Sequence, residues 1–268
     1  MPIPRFLKSR STWSLFVSMI AVALSQSPPV ANWFRGQKVT LRVSKECFMG
    51  HTLGDPILQF TVDIRNVGGR SAEFTDIDCF LKKSTGEIIN LPIKAYLQST
   101  PNSQSSNSFT KFPITIVSLR PGERWNAIVT GYNEWNEADE ELLNTIKTAV
   151  FNDIRAQQVK VKWTDATWYE AESSHVKQAM DFFNAHFKIT QGQYVLYVAL
   201  KRDEQVLAVA AYPLVIYRHH IDYLRSLADD YKWGSGLLPN FSQQRGDLKL
   251  ILNRPLSDAD AARGYAAK

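Results

Sequence analysis

The sequence lacks the motifs by which the common enzyme classes are recognised. It contains no glycine-rich phosphate-binding loop, no nucleophile elbow and no histidine pair at the spacing of a metalloprotease helix. No segment can therefore be assigned a catalytic, cofactor or metal role. The sequence predicts a protein that is not an enzyme and that needs no cofactor.

Cysteine is scarce as well. The two cysteines, Cys47 and Cys79, lie 32 positions apart on what the pattern predicts to be separate strands. They would form one disulfide in an oxidising compartment, and in a reducing one they would behave as small buried apolar residues. A count of two does not decide between these possibilities.

Long hydrophobic runs are also absent, because the longest stretch of apolar and small residues covers 12 positions, 13–24. A bilayer span needs about 20 residues, and a short run that follows basic residues is typical of a signal peptide. However, apolar residues continue beyond Pro28 and Pro29, and no charge occurs between Ser11 and Phe34. The favoured interpretation is a retained anchor over about 12–34, and the alternatives are a cleaved signal and a buried core helix. The anchor residues would be Trp13, Leu15, Phe16, Val17, Ile20, Val22 and Leu24.

The net charge of +5 is concentrated at the amino terminus. Residues 1–50 contain seven basic residues and one acidic residue, so the remainder of the chain carries a charge of −1. Basic residues on both sides of an apolar run suit an anionic membrane surface, and the location of the charge argues against nucleic acid. Because both flanks are basic, the side of the membrane that the soluble part faces stays open.

After the basic and apolar segment 1–36, the hydrophobic pattern changes to a period of two. Apolar residues alternate with polar ones over 39–43 and again over 58–64. Such alternation is typical of strands with one buried and one solvated face. Further short apolar runs and glycine-containing turns follow, and a polar, serine-rich stretch over 98–111 is predicted to be an exposed loop. The pattern predicts an immunoglobulin-like β-sandwich over residues 37–133.

The carboxy-terminal part mixes helical and strand patterns. Helices are predicted from about Ala138, from about Ser174 and around Ile221, with a short strand near 159–163 and a hairpin over 194–215. Residues 134–253 are therefore an α+β extension packed on the sandwich, which either completes the same sheet or forms a second lobe. Residues 254–268 are predicted to be a flexible tail.

Three groups of side chains are candidates for a site. The acidic residues would favour the start of a helix rather than hold calcium, because they lack the spacing of a calcium loop. The histidines do not have the spacing of ligands to one metal ion. Three aromatic residues lie between predicted elements and are the candidates for a partner surface. These groups are Glu134, Glu137, Asp139, Glu140 and Glu141; His175, His186, His219 and His220; and Trp135, Trp168 and Tyr169.

Four short segments give the chain a resemblance to a known group of proteins. They are residues 25–29 (SQSPP), 66–69 (NVGG), 120–123 (RPGE) and 230–236 (DYKWGSG). Together they resemble uncharacterised bacterial single-pass membrane-anchored β-sandwich proteins. The resemblance implies a location in the bacterial inner membrane, and it implies no activity and no residue roles.

These observations favour a membrane-anchored, non-catalytic recognition or scaffold protein that acts through contacts with a protein partner or with further copies of itself. One alternative is an exported carbohydrate-binding protein or enzyme with a cleaved signal. Another is a membrane effector that oligomerises through its anchor.

Overall fold

The computed structural model describes residues 36–100, 108–133, 135–160, 169–237 and 247–268, together with positions 14, 17–19, 21 and 22. The fold is mainly β with helices, as the sequence predicts. The strands are β1 (Val39–Thr52), β2 (Asp55–Asn66), β3 (Ala72–Phe74), β4 (Asp76–Lys83), β5 (Ile88–Asn90), β6 (Ile93–Thr100), β7 (Ser108–Pro113), β8 (Val117–Leu119), β9 (Arg124–Gly131), β10 (Gly192–Arg202), β11 (Gln205–Ile216) and β12 (Leu248–Ile251). The helices are α1 (Glu137–Lys160), α2 (Ser173–His186), α3 (Arg218–Ser226), a 3₁₀ helix (Leu227–Trp233) and α4 (Asp258–Ala266).

The strands form antiparallel sheets that share one hydrophobic core. A six-stranded sheet has the order β12-β1-β2-β9-β6-β7, a four-stranded sheet has the order β11-β10-β4-β5, and β3 pairs with β8. Burial alternates along almost the whole of β2, which is the period of two seen in the sequence. Side chains of both larger sheets, such as Phe60 of β2 and Leu81 of β4, belong to the same core cluster. This arrangement is consistent with a β-sandwich.

The late strands belong to the same sheets as the early ones. The predicted hairpin is present as β10 and β11, and β10 pairs with β4 so that Val198 lies opposite Cys79. Strand β12 pairs with β1, with Leu250 opposite Cys47. The sequence left open whether the late strands complete the sheets of the sandwich or form a second lobe. In the structure they complete the sheets.

The two cysteines are buried free thiols on separate strands, Cys47 in β1 and Cys79 in β4. Burial raises the pKa of the Cys47 thiol to about 12, and burial also raises the pKa of the Cys79 thiol. Both side chains therefore behave as small apolar core residues in this structure, which is one of the two possibilities that the sequence allowed.

Two segments that were predicted to lack regular structure contain strands or a helix, so both predictions were wrong. The predicted loop over 98–111 includes the end of β6 and the start of β7, and Thr100 pairs with Ser108. Its central residues, 101–107, lie outside the described residues. Strand β7 is held at the edge of the sheet by its pairing with β6 and by the stacking of Phe112 on Tyr96, so part of a polar serine-rich segment forms a strand without an apolar pattern.

The predicted flexible tail contains helix α4. The hydroxyl of Ser257 accepts a hydrogen bond from the Asp260 N–H and caps the helix, while Tyr265 donates to the Asp78 carboxylate at 2.6 Å. A Cβ at Gly264 would clash with the Tyr197 hydroxyl group, so the helix backbone packs directly on a side chain of β10. A nine-residue helix is marginal alone, and this tertiary packing is what the sequence pattern did not show.

The long helix α1 replaces part of a predicted strand. Val159 lies in the last turn of α1, whereas the rest of the predicted strand at 159–163 lies almost entirely outside the described residues. The predicted apolar stripe is buried as expected, at Leu143, Ile146, Val150 and Ile154. The predicted acidic residues Glu137, Asp139 and Glu140 occupy the first turn, where they suit the helix dipole.

Candidate functional site

The structure separates the three aromatic residues that were predicted to form a partner surface. Trp135 is half-buried and lines a cleft. Tyr169 is only 8% exposed and packs in the core, so its prediction as a surface residue was wrong. A short segment between elements can still be drawn into the core by the helices on either side. Trp168 lies outside the described residues.

The predicted anchor falls almost entirely outside the described residues. Of its members, only Val17 and Val22 are described, and both are helical with exposed fractions of 56% and 59%. Trp13, Leu15, Phe16, Ile20 and Leu24 lie outside the described residues. Among the residues that the structure does describe, no helix is long and apolar enough to cross a membrane.

The cleft that contains Trp135 has a volume of about 650 Å³. Residues from β1, β2, β7, β9 and α1 meet there, so its members are far apart in the sequence. A wider depression runs along α1, but it is the polar, open face of a single helix and has no aromatic side chain. The Trp135 cleft is lined by Thr52, Asp55, Ile57, Lys111, Thr130, Tyr132, Asn133, Trp135 and Glu140.

A tight turn between β1 and β2 sets the position of the first cleft residues. Thr52 and Asp55 are paired across the turn, and Leu53 and Gly54 have φ angles of 47° and 95°. Two successive positive φ angles are typical of a two-residue hairpin turn. A Cβ at Gly54 would lie 2.5 Å from the Phe183 carbonyl oxygen, so the turn is packed against the end of α2. This contact fixes Asp55 relative to the helices.

The surroundings of Asp55 in the cleft change the pKa of its carboxyl group. Burial raises the pKa of Asp55, while the side chain and backbone of Asn133 and the charges of Lys188 and His186 oppose that rise. The Asn133 amide donates to Asp55 Oδ1 at 3.5 Å, which is a long hydrogen bond. Asp55 is therefore a partly desolvated carboxyl group that faces the cleft with few strong partners.

Trp135 is held from behind by aromatic side chains of α2. Its ring meets Phe182 at 5.2 Å and His186 at 5.0 Å between centroids, in both cases edge to face. The His186 Nδ1–H donates to the Phe182 carbonyl oxygen at 2.8 Å, and Nε2 lies 3.3 Å from Asp139 Oδ2. Both ring nitrogens thus face oxygen acceptors, which fixes the imidazole and, through it, the indole.

The rim of the cleft is charged and partly aromatic. The Lys111 ammonium lies 5.3 Å from the centroid of the Tyr132 ring, a cation–π contact that occupies one face of that ring. Glu140, one of the predicted acidic residues, faces the cleft from the first turns of α1. The cleft therefore offers an indole, two carboxyl groups, one ammonium group and several hydroxyl and amide groups to a polar ligand.

The predicted histidines do not line this cleft. His175 lies at the start of α2 beside Asp153, at 2.7 Å between Nδ1 and Oδ2. His219 and His220 are neighbours in α3, with ring centroids 4.2 Å apart and an angle of 71° between the rings. His186 supports the cleft only by packing against the Trp135 ring.

Sequence reasoning missed three other polar residues, Asp55, Asn133 and His51. Asp55 and Asn133 carry no motif, and only the sheet order brings them together. His51 is largely buried against Phe183, and the Leu224 carbonyl oxygen lies 2.8 Å from its Nε2. Burial lowers the pKa of His51, while that hydrogen bond opposes the change. His51 lies in a predicted strand, and nothing in the sequence pattern indicated that its ring would be buried.

Comparison with known proteins adds little to this description. No protein-family model and no curated protein matches the chain. Among solved structures, the chain is similar to the β-glucosidase from Kluyveromyces marxianus in complex with glucose, with a TM-score of 0.24 and 13% identity over 66% of this chain. The selenomethionine-labelled form of that β-glucosidase gives a TM-score of 0.25 and 14% identity over 67% of this chain. The chain spans only 14% of the length of each glucosidase chain, and TM-scores this low carry no argument about fold or function.

Proposed function

We propose that the protein is a non-catalytic recognition protein that is held at a membrane by its amino-terminal segment and binds a protein partner at the Trp135 cleft. The cleft is the observation that carries this proposal. Binding hot spots are typically rigid aromatic side chains surrounded by polar residues that exclude water. Trp135 has this setting, because Phe182 and His186 support it and Glu140 and Lys111 lie around it.

The partner that suits the cleft best carries a basic side chain. Asp55 and Glu140 contribute two carboxyl groups, and Lys111 contributes one ammonium group, which already lies against Tyr132. A lysine or arginine of the partner would approach the indole and pair with the carboxylates. Desolvated carboxylates gain more from such a pair than exposed ones, which favours Asp55 as the main contact.

The membrane part of the proposal rests on the sequence and on the few described residues of the segment. Basic residues flank the apolar run, and Val17, Met19 and Val22 are helical with exposed fractions of 56%, 61% and 59%. Apolar side chains on an exposed helix face are available for insertion into lipid. The proposal includes the bacterial inner membrane as the location, which rests on the resemblance. It also includes an immunoglobulin-like arrangement of the strands, which the sequence pattern predicts over 37–133 and which has to accommodate β10, β11 and β12 in the same sheets.

Site-specific photo-crosslinking in cells tests the recognition proposal. A photoreactive residue replaces Glu140 in the cleft, and the matched control replaces Glu204, which is exposed in the β10–β11 turn. We expect a discrete protein adduct from position 140 and none from position 204, and the additional change Asp55→Asn should weaken it by about tenfold. Identical adducts from both positions would argue against a specific site, and a dimer of this chain as the adduct would favour homo-oligomerisation.

Intact-mass measurement of membrane-extracted protein tests the anchor separately. A retained anchor predicts the full mass of residues 1–268 and resistance to extraction at alkaline pH. A mature form that begins near Gln26 would contradict the anchor and favour an exported protein. The same measurement with and without reductant reports whether Cys47 and Cys79 are oxidised in the cell.

A second candidate function is carbohydrate binding or glycoside hydrolysis by an exported protein. The observation that favours it is the placement of Trp135 and two carboxyl groups in one cleft, with burial raising the pKa of Asp55. Glycoside hydrolysis commonly requires one protonated and one ionised carboxyl group. Binding of oligosaccharides that is lost in Trp135→Ala, in the absence of a protein adduct at position 140, would select this candidate.

A further inference from the structure

A second group of polar side chains lies at the opposite end of the α1–α2 pair from Trp135. Asp153 belongs to α1, Glu172 immediately precedes α2 and His175 lies in the first turn of α2. One carboxylate oxygen or ring nitrogen from each lies within 4.8 Å of the others. In the described part of the chain, no other set of three histidine, cysteine or acidic residues converges in this way.

The backbone around this group is held in place. The Glu172 N–H donates to Asp153 Oδ2 at 2.9 Å, and the Ala171 N–H donates to the Lys232 carbonyl oxygen at 2.7 Å. Tyr169, two residues earlier, is buried in the core. The backbone of the segment that carries Glu172 is therefore fixed to both α1 and the 3₁₀ helix, while the Glu172 side chain is exposed.

A simple ion pair explains part of this arrangement. The His175 Nδ1 lies 2.7 Å from Asp153 Oδ2, which is a good hydrogen bond for a protonated ring. The pair does not account for Glu172, whose side chain makes no capping hydrogen bond although it occupies the cap position of α2. A neutral imidazole with two carboxylates carries a charge of −2, which matches a divalent cation.

We propose that Asp153, Glu172 and His175 bind a divalent transition-metal ion, for which Zn²⁺ is the best fit. Ligands in a tetrahedral zinc site lie roughly 3.4 Å apart, as expected from metal–ligand bonds of about 2.1 Å. The 2.7 Å contact between His175 and Asp153 must open slightly, which requires a small rotation of one of these two side chains. The longest separation, at most 4.8 Å, must close, and rotation of the exposed Glu172 side chain provides that adjustment. A water molecule would complete the coordination.

The ligand set also decides between metals. One nitrogen and two carboxylate ligands are too few for Ca²⁺, which takes six to eight oxygen ligands, and Mg²⁺ binds weakly to imidazole. The positive end of the α2 dipole opposes any cation at this place. All three ligands are therefore needed to hold a cation against the helix dipole. The expected order of affinity is Zn²⁺ above Mn²⁺ above Mg²⁺. A bound ion would fix α1 to the start of α2, independently of the Trp135 cleft.

Zn²⁺ titration of the full chain, purified in detergent without a histidine tag, tests the site by calorimetry. At about pH 8, where the imidazole can lose its proton to the metal, we expect one Zn²⁺ per chain. Glu172→Gln should weaken binding by at least tenfold, because loss of a group that only orients a ligand already costs about tenfold or more, and His175→Ala should remove it. The matched control is His219→Ala, which removes an exposed histidine of α3 and should leave the affinity unchanged.

The variants also separate loss of the site from loss of the fold. Glu172 is exposed and caps nothing with its side chain, so Glu172→Gln should unfold at the same temperature as the unaltered chain in the presence of a chelator. If His175→Ala does not fold, Glu172→Gln decides the matter. The site is wrong if the full chain binds no Zn²⁺, if Glu172→Gln binds it unchanged, or if His219→Ala abolishes binding.

Discussion

Helices α1 and α2 are joined at both ends by an aspartate of α1 and a histidine of α2, and the two ends are built differently. Asp139 near the start of α1 meets His186 at the end of α2, and Asp153 near the end of α1 meets His175 at the start of α2. The helices therefore run antiparallel. At the first end the histidine is packed among aromatic rings, whereas at the second end it lies beside polar and exposed groups.

The comparison shows that the surroundings, and not the residue pair, decide what each end can do. The His186 ring stacks on Phe182 with a centroid distance of 4.1 Å and meets Trp135 edge to face. It acts as a rigid support for the cleft. His175 is only partly buried, and the hydrogen bond that its ring donates to the Asp153 carboxylate raises its pKa. That end is open to a proton or a metal ion. We call the end with His186 the aromatic end and the end with His175 the polar end.

The largest effect is expected from Phe182→Ala at the aromatic end. The ring is 4% exposed, stacks on His186 and supports Trp135. Its removal leaves a cavity, and the free energy of unfolding should fall by about 3–5 kcal/mol in urea titrations. The control Phe151→Ala removes a ring that is 39% exposed on α1 and should change stability by less than about 0.5 kcal/mol. Equal losses would mean that the aromatic end is not a packed unit.

A smaller loss is expected from Gly54→Ala, which also acts on the aromatic end. The residue has a φ of 95°, and its new Cβ would meet the α2 backbone at Phe183. Positive-φ strain and overpacking together should lower the free energy of unfolding by about 2–4 kcal/mol.

The control Gly86→Ala has the same φ of 95° with nothing within 4 Å, so it isolates the strain. It should lose only about 1 kcal/mol. If the two variants lose equal stability in the same denaturation assay, the turn does not press on α2.

Asn136→Ala should have a modest effect at the same end. Asn136 precedes α1, and its Oδ1 accepts a hydrogen bond from the Asp139 N–H at 2.9 Å. Loss of this cap should lower the free energy of unfolding by about 1 kcal/mol and loosen the Asp139 contact with His186. Asn184→Ala, on an exposed position inside α2, is the control and should be neutral or slightly stabilising by the same measurement.

The smallest effect concerns the polar end and depends on pH. The hydrogen bond that the His175 ring donates to Asp153 raises the pKa of His175 above its ordinary value of 6.5. Protonated His175 therefore stabilises the fold at low pH, and this contribution is lost as the pH rises through the raised pKa. In Asp153→Asn the pKa should return toward 6.5, as measured by NMR titration of the imidazole protons.

Asp181→Asn on the exposed face of α2 is the control for this titration, since Asp181 pairs with Lys177. It should leave the His175 pKa raised. A His175 pKa that stays raised in Asp153→Asn would mean that Asp153 is not its main partner, and it would also weaken the case for a metal site.

Much of the secondary structure follows directly from the sequence. The alternation in β2, the β10–β11 hairpin and the apolar face of α1 were all predicted, because each is a pattern of neighbouring residues with one face buried. The predicted tail and loop failed for the opposite reason. Helix α4 and strand β7 are stabilised by partners elsewhere in the chain, and their own residues carry little apolar periodicity.

The candidate site was predictable only in part. Trp135 was singled out because an aromatic residue between elements is hard to bury, and it does line the cleft. The same reasoning failed for Tyr169, which the core accepts. His175 and His186 were judged too far apart for one metal ion, and the structure places them at opposite ends of α2, each beside a different aspartate.

The sequence by itself determined the strand-forming alternation, the helical faces and the basic, apolar amino terminus, because these depend on the spacing of nearby residues and on the period of each backbone conformation. Only the tertiary structure decided that late strands complete early sheets, that Asp55 and Trp135 share a cleft, and that Asp153, Glu172 and His175 converge. These features join residues distant in the chain. Their proximity depends on the order of strands and the antiparallel packing of two helices, which no local pattern encodes.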